Sequence, residues 1–102
     1  MTPPSDGGPA VVRRFVVHGT VQGVGFRAFV WRNAAALGLS GWVRNRRDGT
    51  VEVLAAGDAA ALDRLAGLLA EGPRWSRVTR VEAEDVPEAS GFPHGFSVEP
   101  TV

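Results

Sequence analysis

The order of strand-like and helix-like segments is the feature of this 102-residue chain that most constrains its fold. A short strand-like segment rich in apolar residues is followed by apolar residues at helical spacing, and this succession occurs twice along the chain. The predicted strands are Val11–Val17, Ser40–Arg46, Thr50–Ala55, Ser76–Glu84 and Phe96–Val98, and the predicted helices are Phe26–Leu37 and a segment from an Asp58 cap to about Ala70.

This β-α-β-β-α-β order predicts an α+β domain of the ferredoxin-like split β-α-β type. We expect an antiparallel sheet with both helices on one face and a short extra C-terminal strand. Asp48-Gly49 between apolar segments indicates the hairpin that joins the second and third strands. In this topology the first two strands are parallel and flank the third, so their carboxyl ends lie at one sheet edge, roughly 10 Å apart. We expect residues 11–99 to form the domain, with 1–10 as a flexible tail and 100–102 as its end.

A glycine-rich segment, Gly19-Thr20-Val21-Gln22-Gly23-Val24-Gly25, joins the first strand to the first helix. Such a turn directs several backbone N–H groups into a small volume at the positive end of the helix dipole. Arg27 lies in the first helical turn, where a lone cation opposes that dipole. The pattern therefore indicates a cradle for an anion such as phosphate, although glycine spacing alone is equally compatible with a connection that carries a solvated arginine.

Composition excludes several other classes of protein. The absence of cysteine rules out disulfides, thiolate nucleophiles and cysteine metal sites. Eleven basic residues, all arginine, balance eleven acidic ones, so the broad positive field of nucleic-acid-binding proteins and a P-loop lysine are both missing. No apolar run approaches the ~20 residues of a membrane span, and Met1–Ala10 lacks the features of a secretory signal. We expect a cytoplasmic monomer that binds neither membrane nor nucleic acid.

We expect the remaining polar and aromatic side chains to have structural rather than catalytic roles. His18, at the end of the first strand, is interpreted as a partly buried packing residue and His94 as an exposed loop residue. Because no two carboxylates are convincingly spaced for a metal site, we expect no bound metal. Residues assigned to the solvent are Arg13, Arg14, Arg46, Arg47, Glu82, Glu84 and Asp85, and those assigned to the core are Phe15 and Trp42.

Three stretches of the chain closely resemble the acylphosphatase family. They are Gly-Thr-Val-Gln-Gly-Val-Gly-Phe-Arg (residues 19–27), Leu-Gly-Leu-Ser-Gly-Trp-Val-Arg-Asn (37–45) and Asp-Gly-Thr-Val-Glu-Val (48–53), and the resemblance extends over residues 11–99. It implies hydrolysis of small-molecule acyl phosphates to a carboxylate and inorganic phosphate without metal or cofactor. Phosphate and other oxyanions would act as product or inhibitor.

The resemblance also implies roles for individual residues. Arg27 would bind the phosphate and Asn45 would orient the attacking water. The cradle would come from the backbone of Thr20, Val21, Gln22, Gly23, Val24 and Gly25. Some animal members of the family end in an aromatic and arginine-bearing strand, whereas this chain ends in Phe-Ser-Val-Glu-Pro-Thr-Val, so no role for a C-terminal arginine transfers.

Three alternative interpretations compete with this one. Residues 23–28 fit the G-x-G-x-x-A pattern of dinucleotide-binding folds, but such folds need more parallel strands than this chain provides. Residues 25–30 resemble an RNA-binding sheet motif, but their aromatic side chains fall in the predicted helix. Acylphosphatase-like domains also occur within larger carbamoyl-transfer maturation proteins, and a free-standing enzyme is the simpler inference.

Overall fold

A computed structural model describes residues 11–87 and 95–102 of the chain. The elements follow the predicted order, with shifts of one to three residues at most of their bounds. The strands are β1 (Val11–Thr20), β2 (Ser40–Asn45), β3 (Val51–Gly57), β4 (Arg77–Val86) and β5 (Phe96–Val98), and the helices are α1 (Phe26–Ala36) and α2 (Ala59–Glu71). The predicted flexible tail, residues 1–10, and the predicted loop residue His94 lie outside the described residues.

The five strands form one sheet in the order β4-β1-β3-β2-β5. As expected, β3 lies between β1 and β2 and pairs antiparallel with both, while β4 pairs antiparallel with β1. The α+β, ferredoxin-like fold is confirmed, but the sheet is mixed because β5 runs parallel to β2. The reason is geometric: β4 is antiparallel to β2, so a strand that reverses the direction of β4 runs parallel with β2.

Both helices pack on one face of the sheet and enclose a single apolar core. The helix side chains that face the sheet recur at the predicted spacing, and the sheet supplies mainly valine together with the predicted core residue Phe15. The fully buried members include Phe26, Val30 and Ala34 of α1, Leu62, Leu65 and Leu69 of α2, and Phe15, Val17, Val43, Val51 and Val53 of the sheet. In the described ranges, no helix has the length and apolar character needed to cross a membrane.

A glycine cap ends α1 at the place that allows β2 to begin. Gly38 has a φ of 74°, in the left-handed region, as predicted for a helix-ending glycine. Its N–H donates to the carbonyl oxygen of Ala35 at 3.0 Å, and the N–H of Leu39 donates to that of Ala34 at 2.9 Å. This Schellman-type ending turns the chain directly into β2, whose last residue is Asn45.

One local prediction is wrong and another is met only in part. Asp58 is the N-cap residue of α2, as predicted, and its backbone is extended, but its side chain makes no capping hydrogen bond. Trp42 does not belong to the core: its neighbour Val43 faces the helices, so the alternation of the strand directs Trp42 to the opposite, helix-free face. There the guanidinium of Arg44 lies 4.3 Å from the centre of the Trp42 ring.

The helix-free face carries a group of paired charges, which we call the Glu52 cluster (Glu52, Arg14, Arg44 and Trp42). Glu52 is only 5% exposed, and its carboxylate accepts hydrogen bonds from the Nε atoms of Arg14 (2.6 Å) and Arg44 (2.8 Å). Burial alone would raise the pKa of the Glu52 carboxyl, but the two arginines hold that pKa below its ordinary value. Arg14 is therefore not solvated as predicted.

The prediction that Arg13 is solvated is also wrong, because its side chain is paired with two carboxylates. Its Nε donates to Asp85 at 2.6 Å and its Nη1 to Asp63 of α2 at 2.9 Å, and the hydrogen bond to Asp85 is the main reason that the pKa of Arg13 rises. These pairs tie the β1–β4 edge to the second helix. Arg47 is exposed, as expected, and the guanidinium of Arg46 lies 3.8 Å from the carboxylate of Asp48.

Candidate active site

A cleft of about 310 Å³ opens where β1 and β2 end, at the edge of the sheet that the topology predicted. Arg27 and Asn45, the two side chains singled out in the sequence, both line it. The other lining residues are Val21, Gly23, Gly25, Phe26, Ala28 and Val98. Thr20, Gln22 and Val24 of the predicted cradle do not line the cleft. The structure thus brings both candidate side chains and half of the candidate loop residues together.

Two glycines shape the loop between β1 and α1. Gly23 and Gly25 have φ values of 75° and 80°, and a Cβ atom at either position would meet no other atom within 4 Å. What glycine supplies here is therefore a left-handed backbone conformation rather than space. No side chain caps α1, and no backbone N–H of residues 22–28 donates a hydrogen bond to any residue that the structure describes. The loop consequently presents several unsatisfied donors at a helix N-terminus.

Arg27 lies in the first turn of α1 and is partly exposed. Across residues 11–87 and 95–102 its guanidinium pairs with no carboxylate, whereas every arginine on β1 and β2 is paired. The first turn of α1 contains no acidic residue that could compensate this charge. Arg27 therefore combines with the unsatisfied N–H groups to make this end of the helix strongly attractive to an anion.

Asn45 is the last residue of β2 and lies opposite Val51 of β3. Its side-chain Oδ1 is buried, yet it accepts no hydrogen bond from any described residue. A buried acceptor without a partner costs about 1–3 kcal/mol, so native proteins rarely keep one without a reason. In this cleft the unpaired oxygen is an acceptor available to a bound molecule.

The Gln22 side chain connects the two halves of the site. Its Nε2 donates to the carbonyl oxygens of Arg46 (2.7 Å) and Thr50 (2.8 Å), in the hairpin that follows Asn45. The hairpin itself is closed by Asp48, whose carboxylate accepts hydrogen bonds from the hydroxyl (2.6 Å) and N–H (3.0 Å) of Thr50. These bonds, that from the hydroxyl foremost, lower the pKa of Asp48.

Sequence reasoning missed the role of the Gln22 side chain, because it assigned only the backbone of this residue to the site. The signal available was a single amide-bearing side chain within an otherwise small and apolar loop. It also missed Val98, which lines the cleft from the edge strand β5. No pattern in the sequence distinguishes Val98 from the other valines.

His18 lies outside the cleft. Its Nε2 is 3.1 Å from the carboxylate of Glu82 on β4, and this contact is the main cause of the lowered pKa of Glu82. His18 is half-buried, as its packing interpretation predicted. Among residues 11–87 and 95–102, no group of three His, Asp or Glu side chains is arranged to hold a metal ion.

Comparisons with known proteins identify the family of the chain. A family model described as acylphosphatase matches residues 13–98. The chain is 58% identical over 89 residues to an acylphosphatase of Koribacter versatilis, covering 87% of this chain and 80% of that protein. The chain belongs to the acylphosphatase family.

Solved structures agree with the family assignment. The crystal structure of acylphosphatase from Bacillus subtilis superimposes with a TM-score of 0.83 and 40% identity, covering 87% of this chain and 98% of that one. HypF from T. kodakarensis matches with a TM-score of 0.77 and 31% identity over 87% of this chain, but over only 12% of its own length. The same domain therefore also occurs as a small part of a longer protein.

Acylphosphatases hydrolyse the carboxyl–phosphate bond of acyl phosphates, and the chain is an enzyme of this class. Its substrate is accordingly a small molecule that carries an acyl phosphate group. A dinucleotide-binding fold, one of the three alternatives, is contradicted by the sheet, in which β3 pairs antiparallel with both of its neighbours.

Proposed function

We propose that the chain hydrolyses acyl phosphates by direct attack of water on phosphorus. Arg27 and the backbone of residues 20–25 bind the phosphoryl oxygens, and Asn45 orients the water. The observation that carries this proposal is that two groups without a described partner belong to residues of one cleft: the buried Oδ1 of Asn45 and the guanidinium of Arg27. A water and an anion are the partners that these two groups lack.

The binding half of the site is suited to a phosphoryl group. A guanidinium can donate to two phosphoryl oxygens at once, and the unsatisfied N–H groups of the loop can reach the others. Such donors stabilise the charge that the equatorial oxygens carry in the transition state, with each donor worth about 3–4 kcal/mol. No cation other than Arg27 lines the cleft among the described residues, so this residue has the largest expected effect.

The reaction makes few demands on the rest of the site. The leaving carboxylate has a conjugate acid with a pKa of roughly 4–5, so it departs near neutral pH without a general acid. Asn45 can accept a hydrogen bond from the water through Oδ1 while remaining uncharged. A carboxylate at this position would instead repel the phosphoryl group.

The proton of the attacking water needs an acceptor, and among residues 11–87 and 95–102 no carboxylate or histidine lines the cleft. A phosphoryl oxygen of the substrate takes this proton. The bond from the water oxygen to phosphorus forms, the bond from phosphorus to the acyl oxygen breaks, and its electron pair leaves on the carboxylate. Rates for substrates that differ in the basicity of their phosphoryl oxygens test this step.

The decisive experiment replaces Asn45 with alanine. We expect kcat to fall by about 10²-fold, because the water loses its acceptor, while inhibition by inorganic phosphate changes little, because Arg27 and the loop are intact. The matched control is Asn33→Ala, which removes an asparagine on α1 that bonds to the Phe29 carbonyl oxygen and does not line the cleft. Normal turnover by Asn45→Ala would refute the role of this residue in orienting water.

A second experiment separates charge from hydrogen bonding. Asn45→Asp keeps the shape of the side chain and its acceptor oxygen but adds a negative charge, so both kcat and the affinity for phosphate should fall.

Hydrolysis of a simple aryl acyl phosphate should proceed equally with and without a chelator, because no step proposed above uses a metal. The cytoplasmic location and the monomeric state stay predictions, which cell fractionation and size-exclusion chromatography test.

A further inference from the structure

The chain continues along β2 beyond the last residue of β5. The N–H of Glu99 donates to the carbonyl oxygen of Val43 at 2.8 Å, which follows the parallel register in which Val43 lies opposite Val98. We call residues 99–102 the C-terminal segment. Its path leads along the outer edge of β2 toward Asn45.

Beside Asn45 the register shifts by one residue. Regular parallel pairing would make the N–H of Thr101 the donor to the Asn45 carbonyl oxygen. Instead the N–H of Val102 donates to it, at 3.1 Å, and the N–H of Arg47 donates back to the Val102 carbonyl oxygen at 2.8 Å. One extra residue in one strand is the mark of a β-bulge.

The backbone of Asn45 is therefore fixed on both sides. On the inner side Asn45 pairs with Val51, and the next residue, Arg46, donates its N–H to the Thr50 carbonyl oxygen at 2.9 Å. On the outer side the only backbone partner of the Asn45 carbonyl oxygen outside the β2–β3 ladder, among the described residues, is Val102. Without it, Asn45 would be the terminal residue of a strand with an open edge.

We infer that the C-terminal segment positions Asn45: the backbone hydrogen bonds of Val102, one to the Asn45 carbonyl oxygen and one from the Arg47 N–H, hold the end of β2 so that the Asn45 side chain lines the cleft. This inference rests on the proposed role of Asn45 in orienting water. Val102 touches no reacting atom in this account and is a positioning residue. It acts through its backbone, so the identity of its side chain is unimportant.

The test removes the N–H of Val102 without shortening the chain. Val102→Pro lacks the donor, whereas the matched control Val102→Ala keeps it. Because a displacement of 1 Å costs about 10²-fold in rate, partial release of Asn45 should lower kcat by about tenfold. The KM for an aryl acyl phosphate and inhibition by inorganic phosphate should stay within about twofold, since Val102 is not among the described residues that line the cleft with Arg27. Val102→Ala should resemble the unmodified chain.

Several outcomes overturn the inference. They are a normal kcat in Val102→Pro, an equal loss in Val102→Ala, or a loss of phosphate affinity that matches the loss of kcat. Thermal unfolding of both variants shows that each is folded at the assay temperature. If Val102→Pro does not fold, hydrogen exchange in the unmodified chain decides: the Arg47 amide should be protected, and exchange as fast as that of an exposed turn overturns the inference.

The inference and the proposed function fail in different ways. If Asn45→Ala turns over normally, the proposed role of Asn45 is wrong whatever Val102→Pro does. If Asn45→Ala is impaired and Val102→Pro is normal, the role of Asn45 stands and the positioning role of the C-terminal segment is wrong.

Discussion

The Glu52 cluster and the cleft both contain buried or partly buried polar groups, but these groups are paired in the cluster and unpaired, among the described residues, in the cleft. In the cluster, both oxygens of Glu52 accept hydrogen bonds from arginines, and one of these arginines stacks on Trp42. In the cleft, Arg27 pairs with no described carboxylate and the Oδ1 of Asn45 has no described partner. Both regions lie on the same sheet, since Arg44 and Asn45 are neighbours on β2.

The difference separates residues that stabilise the fold from residues that serve the reaction. Folding favours full satisfaction of buried polar groups, because each unsatisfied one lowers the stability of the native state. Groups left unsatisfied in a cleft are stabilised only when a ligand arrives. Substitutions in the cluster should therefore change stability and leave catalysis intact, and substitutions in the cleft should do the reverse.

The largest effect should come from Arg27→Gln. Removal of the charge that faces the phosphoryl group should lower kcat/KM by about 10³-fold and weaken inhibition by phosphate in parallel. The unfolding midpoint should not fall, because Arg27 makes no ion pair with a described residue. Steady-state kinetics and a thermal melt of the same preparation measure both effects, with Arg32→Gln, an exposed position on the same helix, as the control. If Arg27→Gln lost much of its stability and kept normal kinetics, Arg27 would belong with the residues that stabilise the fold rather than with those that serve the reaction.

An intermediate effect is expected in the cluster. Glu52→Gln removes the charge that both Arg14 and Arg44 face, and should lower the free energy of unfolding by about 2 kcal/mol, within the range for hydrogen bonds to charged groups. Denaturant unfolding measures this loss. The kcat should stay within about twofold, because Glu52 does not line the cleft. Glu84→Gln, an exposed carboxylate on the same face with one contact at 3.9 Å, is the matched control.

The Glu52 cluster also predicts a pH dependence. The pKa of Glu52 is lower in the folded chain than its ordinary value of 4.5, so the folded state favours the ionised form. Its contribution is therefore complete above the ordinary pKa and is lost as pH falls through the lower, folded value. Unfolding free energies measured at decreasing acidic pH should fall more steeply for the unmodified chain than for Glu52→Gln. If the free energies of unfolding of the unmodified chain and of Glu52→Gln fall equally with pH, Glu52 is not the group responsible for the pH dependence.

The smallest effect should be that of Asn45→Ala on stability. The alanine removes an unpaired buried oxygen, so the free energy of unfolding should change by less than about 0.5 kcal/mol or increase slightly. Chemical denaturation of the variant used for the kinetic test provides the measurement. A loss of more than about 2 kcal/mol would mean that Asn45 belongs with the structural residues.

The sequence predicted the fold well because its information is local. The alternation of β4, the leucine spacing of α2 and the glycine after α1 each report on nearby residues, and the order of elements then determines the topology. Pairings across the sheet were not predictable in this way. Arg14 and Glu52 are 38 positions apart and become partners only through the β1–β3 register, so both arginines of β1 were wrongly assigned to the solvent.

The candidate site was partly predictable for a similar reason. Arg27 and Asn45 occur in recognisable motifs, and the split β-α-β topology places their strands at one edge. The roles that we assign to them stay predictions. The contacts that support Asn45 could not be predicted from the sequence, because the hydrogen bonds of Val102 are made by backbone atoms that every residue possesses. The Gln22 amide stands out in the sequence, but its partners, backbone carbonyl oxygens 24 and 28 positions away, leave no pattern there.

The amide of Gln22 has one more consequence. It fastens the loop to the hairpin through two hydrogen bonds, so contacts within the protein hold the wall that carries the loop and the wall that carries Asn45 relative to each other. A site held in this way forfeits little conformational entropy when a substrate binds.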